Sequence, residues 1–231
     1  INFDHPFHEE GFFPTAYVLP VDSEDPTVTQ KAVNHLQKND IEVVQASKAF
    51  TADGKSYPKG TYLVKMDQAK AGLANTMLWD GEDITEDVDA MYDISAWSLP
   101  ELWGFEAIAV QSEFDVTATK VNQIQGQGSV IGKGPFLIPN SSVKAVNLVN
   151  TLLQQGVSVK RDSEGNFYTE AAANVISAAV KQSGLHIESA KVPVDAVEVG
   201  DLRVAILKDG GMNKAQSHSG TKLALKRLSF A

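Results

Sequence analysis

Ala16-Tyr-Val-Leu-Pro20, Thr27-Val-Thr-Gln-Lys-Ala-Val-Asn-His-Leu36 and Ile41-Glu-Val43 together decide the fold class of this chain. The first block is a short apolar strand, and Asp22 to Pro26 forms a polar loop. Val28, Ala32, Val33 and Leu36 recur at helical spacing, which predicts a helix beginning near Thr27 and ending at Asn39-Asp40. Ile41 and Val43 flank Glu42 and restart a period of two, as a strand does. Asp53-Gly54, between Ala49-Phe50 and Tyr57, predicts a tight turn. Pro58-Lys59-Gly60 then turns the chain into Thr61-Tyr-Leu-Val64.

A second set follows in the same order. Phe136-Leu-Ile-Pro139 matches the strand ending Val18-Leu-Pro20, and Val146, Val149, Leu152 and Leu153 form the next apolar helix face, with Gly156 as C-cap. Val157-Ser-Val159 repeats Ile41-Glu-Val43, and Glu164-Gly165-Asn-Phe-Tyr168 repeats Asp53-Gly54-Lys-Ser-Tyr57. Matching strand–helix–strand–turn units argue for duplication; chance likeness between two ordinary α/β units is the competing explanation.

Between the copies, Ile108, Val110, Val116, Val121, Ile124, Val130 and Ile131 mark a β-leaning stretch. Ala171 to Ala179 reads as a helix, His186-Ile-Glu as a short strand, and Pro193 to Gly200 as a connector. Asp201-Leu-Arg-Val-Ala-Ile-Leu207 predicts a buried strand delivered into Lys208-Asp-Gly-Gly211, with a helix through Leu223, Ala224 and Leu228. The alternation predicts an α/β fold, a mostly parallel or mixed sheet flanked by helices, with hairpins at the Asp-Gly turns. It is built from two similar units and a partial third. The expected divisions are 1–12 as a lead-in, 13–110 as the first unit, 111–198 as connector and second unit, and 199–231 as the incomplete third.

Asp and Glu number 29 against 20 Lys and Arg, giving a net charge of −9, which disfavours nucleic acid and anionic membranes as partners. Absence of cysteine excludes disulfides, thiolate zinc sites and cysteine nucleophiles. No apolar run approaches the ~20 residues needed to span a bilayer. The chain begins Ile-Asn-Phe-Asp, without initiator methionine or a signal pattern, which implies a piece of something longer.

A zinc peptidase of the carboxypeptidase type needs His-x-x-Glu and a distant histidine, leaving one coordination position for the attacking water. Three residues after His5, His8, His35, His186 and His218 stand His8, Gly11, Lys38, Ser189 and Thr221, and His-Glu-x-x-His is absent too. No metal or cofactor is therefore assigned to this chain. His5-Pro-Phe-His8-Glu-Glu10 is read as a polar lead-in. Gly126-Gln-Gly-Ser-Val-Ile-Gly-Lys-Gly134 fails both the dinucleotide and the Walker spacings, as Gly54-Lys55-Ser56 fails the latter, so both are turns.

Trp79, Trp97 and Trp103, with Tyr92 and Phe105, are read as core aromatics rather than a stacking pocket. The acidic run Asp80, Glu82, Asp83, Glu86, Asp87 and Asp89 lacks EF-hand spacing and is read as a solvated loop. Ser217-His218-Ser219 lacks a nucleophile elbow. It nevertheless follows a glycine turn where α/β folds bind ligands, which makes Asp209, Gly210, Gly211, Ser217 and His218 the candidate binding turn.

Three blocks carry a family resemblance: Ala16-Tyr-Val-Leu-Pro20, Tyr57-Pro-Lys-Gly-Thr-Tyr-Leu-Val64 and Tyr92-Asp-Ile-Ser-Ala-Trp-Ser-Leu-Pro100. In this order they resemble the region after the peptidase domain in large bacterial zinc carboxypeptidases of the carboxypeptidase A type. Asp201 to Leu207 resembles the start of a following class I glutamine amidotransferase-like or flavodoxin-like segment. The resemblance covers the chain from about Phe13 onward. It implies a non-catalytic accessory region of a secreted or cell-surface enzyme, with zinc only in the upstream peptidase domain. The implied partners are that domain and peptide or cell-wall material. The alternatives are a small-molecule-binding or amidotransferase-like module, and a purely structural interaction module.

Overall fold

A computed structural model describes residues 13–21, 25–81, 98–122, 128–181, 183–200, 202–206 and 219–230. The chain divides into two compact units, Ile1–Ile124 and Gln125–Ala231. Both are α/β, with helices flanking their sheets.

In the first unit, β1 (Ala16–Leu19) buries every side chain and leads into α1 (Pro26–Lys38). The Asp25 carboxylate caps that helix by accepting the Thr27 N–H at 2.9 Å, and Pro26 fills a first-turn position where no N–H is needed. Thr29, Ala32, Val33 and Leu36 form the buried stripe. A Schellman turn ends α1: Asp40 N–H donates to the Gln37 carbonyl and Ile41 N–H to the Leu36 carbonyl, both at 3.1 Å. Then come β2 (Val44–Ala46), the hairpin β3 (Phe50–Ala52) and β4 (Lys55–Tyr57), β5 (Tyr62–Lys65), α2 (Ala71–Leu78), α3 (Leu99–Trp103), β6 (Ile108–Val110) and β7 (Ala118–Lys120).

The first sheet runs β6-β1-β5-β2-β7, antiparallel throughout. Because strand side chains alternate, Tyr17, Leu19, Tyr62 and Val64 pack with Leu36 and Leu78. Val18, Leu63 and Val110 form a core with Phe50, Ala52 and Tyr57 of the β3–β4 hairpin.

The second unit comprises β8 (Ser129–Ile131), β9 (Phe136–Ile138), α4 (Val143–Gln154), β10 (Val159–Arg161), β11 (Phe167–Thr169), α5 (Ala173–Val180), β12 (His186–Ser189), β13 (Val197–Glu198) and α6 (Ser219–Arg227). Its sheet runs β13-β10-β11-β9-β12-β8 and is mixed: β12–β8 is parallel, the other ladders antiparallel. Of the two sheets left open by the sequence, mostly parallel or mixed, the mixed one forms in the second unit, beside the antiparallel sheet of the first.

Without the β3–β4 hairpin and β8, the two units have one strand order, and their ladders keep one register. Leu19 pairs Tyr62 as Ile138 pairs Phe167. Val44 faces Leu63 and Lys120 as Lys160 faces Tyr168 and Glu198. Val18 faces Ile108 as Leu137 faces Glu188. The helices match too. Ala145, Leu148, Val149 and Leu152 of α4 occupy the positions of Thr29, Ala32, Val33 and Leu36, and Gly156 and Val157 repeat the Schellman bonds to Leu153 and Leu152.

Several expectations are corrected. Gly165 corresponds to Gly60 rather than to Gly54: both lie two residues before a central strand, at φ 96° and 97°. The Asp53-Gly54 hairpin is an extra element of the first unit. The second strand of each unit starts later than Ile41 and Val157, because residues 41–43 and 157–158 complete the helix exit before the ladder begins. Residues 202–206 do not form the expected buried strand: no ladder includes them, and Leu202 is 64% exposed. Only Val204 and Ile206 of this run are even partly buried, so its apolar side chains gain too little burial to hold a strand in place.

Among the aromatics, Phe105 is buried and Trp103 packs on the α1 core, but Trp79 is 39% exposed, because it lies just past the α2 C-terminus. Tyr92, Trp97 and the acidic residues from Glu82 to Asp89 lie outside the described residues, as does the His5–Glu10 lead-in. The described glycines of 126–134 serve packing. A Cβ on Gly128 would stand 2.1 Å from the Val180 carbonyl oxygen, and one on Gly132 would stand 2.3 Å from Ser189 Oγ.

Candidate functional site

A groove of about 510 Å³ lies in the first unit between the C-terminal half of α1 and the exit of β7. Asn34, Gln37, Lys38, Asp40, Glu42 and Lys120 supply its polar groups; Ile41, Val43 and Val121 supply its apolar floor. Its position follows from local structure. The α1 Schellman turn puts Asp40 at φ 60° and swings Ile41 and Val43 inward, while Val121 N–H donates to the Val43 carbonyl at 3.0 Å and extends the β2–β7 ladder.

Gln37 Nε2 donates to the Val121 carbonyl at 2.5 Å, which ties α1 to the strand exit. Its Oε1 is buried and has no partner, an arrangement that costs stability relative to a fully bonded amide. On the outer lip, Lys120 Nζ stands 3.4 Å from Glu42 Oε1, with side chains 67% and 62% exposed. Such a pair contributes at most about 1 kcal/mol. Gln68 fixes the Glu42 backbone by accepting its N–H at 2.7 Å and donating to its carbonyl at 3.1 Å. Mixed charges, amides and a small apolar floor suit recognition of a polar peptide surface.

The corresponding place in the second unit is built differently. Ser158 Oγ donates to Glu198 at 2.9 and 3.0 Å where Glu42 meets Lys120, and Leu153 replaces Gln37. Along the outer face of α4, Asn147 Nδ2 donates to the Arg227 carbonyl and Asn150 Nδ2 to the Leu228 carbonyl, each at 2.7 Å. Gln154 Nε2 donates to the Ser229 carbonyl.

Two carboxylates have structural duties. Asp53 accepts from Ser112 Oγ, from Gln111 N–H at 2.8 Å and from Ser112 N–H, anchoring the hairpin tip to the loop after β6. These bonds, the Ser112 hydroxyl first, outweigh the opposing effect of burial and lower its pKa from the usual 3.8. Asp162 accepts from Asn166 N–H at 2.8 Å and Tyr168 OH at 3.0 Å within the β10–β11 turn. Buried Tyr17 donates to Asn75 Oδ1 at 2.7 Å; burial, then the Asp80 charge, pushes its pKa up to about 12.

Asp209, Gly210, Gly211, Ser217 and His218, the candidate turn from the sequence, lie outside the described residues. The part of the preceding strand that is described, 202–206, is not a strand. Sequence reasoning missed the groove because its lining comes from two segments far apart in the chain, 34–43 and 120–122. It also missed an exposed contact of 2.7 Å between Ser129 Oγ and His186 Nδ1, which only the β8–β12 pairing brings together.

Among the described residues no three His, Cys, Asp or Glu side chains gather to hold a metal. Among them, too, no helix is long and apolar enough to cross a membrane. No family model matches this chain, and no curated protein or solved structure matches it.

Proposed function

We propose that this chain is a non-catalytic accessory region of a secreted or cell-surface zinc carboxypeptidase, supporting the peptidase domain and presenting a recognition groove beside it. The supporting observation is where the resembling blocks lie. Ala16, Tyr17, Val18 and Leu19 are buried, as are Tyr57, Tyr62, Leu63 and Val64. Buried blocks of this kind serve the framework, since core side chains stabilise by packing rather than by contacting substrate. The groove supplies amides and opposed charges at its rim, suited to a peptide surface.

The purified chain, incubated with zinc and peptides bearing free C-termini, is expected to release no C-terminal residue. The coding sequence upstream of Ile1 is expected to contain His-x-x-Glu and a later histidine. Stoichiometric zinc with carboxypeptidase activity in this chain, or an upstream sequence lacking those ligands, contradicts the proposal.

A further inference from the structure

We infer that α4 and α6 of the second unit present a basic face that binds a carboxylate-rich, amphipathic helix of a partner protein. In a chain of net charge −9, these two helices carry Lys144, Lys222, Lys226 and Arg227 and no carboxylate. All four cations are exposed. None of them is in an ion pair; among the described residues the salt bridge is that of Lys120 with Glu42.

Helix geometry gathers the charges. Lys222 and Lys226, one turn apart, share one stripe of α6, and Leu223 and Arg227 share the adjoining stripe. Leu225 and Leu228 fall on the opposite side and are partly buried. The end of α6 is held on α4 by Asn147, Asn150 and Gln154, which donate to the Arg227, Leu228 and Ser229 carbonyls. Val143 and Lys144 lie about one turn before Asn147 on that face of α4. Val143 is 62% exposed and Leu223 49%, so apolar contact is on offer beside the charge. A helix with Glu and Leu in adjoining stripes complements both.

Helix stability does not account for the arrangement. Lys226 and Arg227 suit the negative end of the α6 dipole, but Lys144 and Lys222 stand in the first turns of their helices, where a cation is disfavoured. Lys222 and Lys226 also repel each other across one turn. A bilayer suits the face less than a peptide does. Its extended anionic surface would also meet the acidic excess of the rest of the chain, whereas a peptide meets this face alone, and charges beyond about 8 Å are screened at physiological salt. The inference is independent of the carboxypeptidase reading, because it rests on these two helices alone.

The test uses the full chain, labelled with 15N, and an amphipathic helical peptide of Glu, Leu and Ala. Saturable shifts are expected at 143–147 and 222–227, with affinity falling about tenfold from about 20 to about 200 mM NaCl. The double variant Lys144→Glu, Lys222→Glu is expected to weaken binding by about tenfold or more without lowering the thermal midpoint, because a carboxylate suits each first turn. The neutral variant Lys222→Gln, Lys226→Gln should weaken binding about threefold and decides the matter if the reversed charges disturb folding. Absence of saturable shifts at low salt, shifts lying outside α4 and α6, binding undiminished in these folded variants, or tighter binding to phosphatidylserine vesicles than to the peptide overturns the inference.

Discussion

Asp40 and Gly156 hold the same place at the ends of α1 and α4, both in the left-handed region, at φ 60° and 76°. Glycine adopts that conformation freely, whereas a side chain costs roughly 1 kcal/mol there. Asp40→Gly should therefore stabilise the chain by about 1 kcal/mol, and Gly156→Ala should destabilise it by about as much; urea denaturation measures both. Gly128→Ala is expected to cost more, about 2–3 kcal/mol, because the added methyl meets the Val180 carbonyl and Cγ1. Asp53 adds a pH dependence. Its folded pKa is lowered, so its contribution is fully present above the ordinary value of 3.8 and is lost as pH falls through the lower folded value. Amide exchange in Phe50–Tyr57 should thus accelerate below pH 3.8 relative to exchange in β1, and Asp53→Asn should remove that acid step.

Whereas α2 and α3 are not legible in the sequence, helices α1, α4, α5 and α6 are. Their apolar residues recur at helical spacing, and Gly156 announces its own cap. On α4, Val149 and Leu152 are buried as their spacing predicts, but Ala145 and Leu148 complete the stripe in place of Val146 and Leu153, which are only partly buried. Apolar character alone does not say which edge of a wide stripe meets the sheet. The β3–β4 hairpin was legible as a turn but not as an insertion. Tyr57 resembles Tyr168 in sequence, yet Tyr62 is the residue paired as Phe167 is, and strand pairing is settled by contacts distant along the chain.

The hairpin also explains a difference in sheet composition. Val44 and Ile108 lie on the face it covers, and their counterparts Lys160 and Glu188 do not need cover. Truncating the stacked Phe50, whose ring lies 5.1 Å from Tyr57 and 5.6 Å from Phe114, should cost about 3–4 kcal/mol in a Phe50→Ala variant. Thermal unfolding measures that loss.

At the scale of the whole molecule, each unit has its own buried core, and the repeated strand order organises both. The sequence order of the two copies was readable because equivalent blocks keep their apolar pattern. The groove was not, since nothing in a linear sequence brings Asn34 beside Lys120 before the β2–β7 ladder is known. Cross-strand nuclear Overhauser effects in the labelled chain test the shared register directly. Contacts are expected within the first unit for Leu19–Tyr62 and Val44–Lys120, and within the second for Ile138–Phe167 and Lys160–Glu198. A ladder offset by one residue in either unit would contradict it, since every equivalence between the two helix faces would then fall.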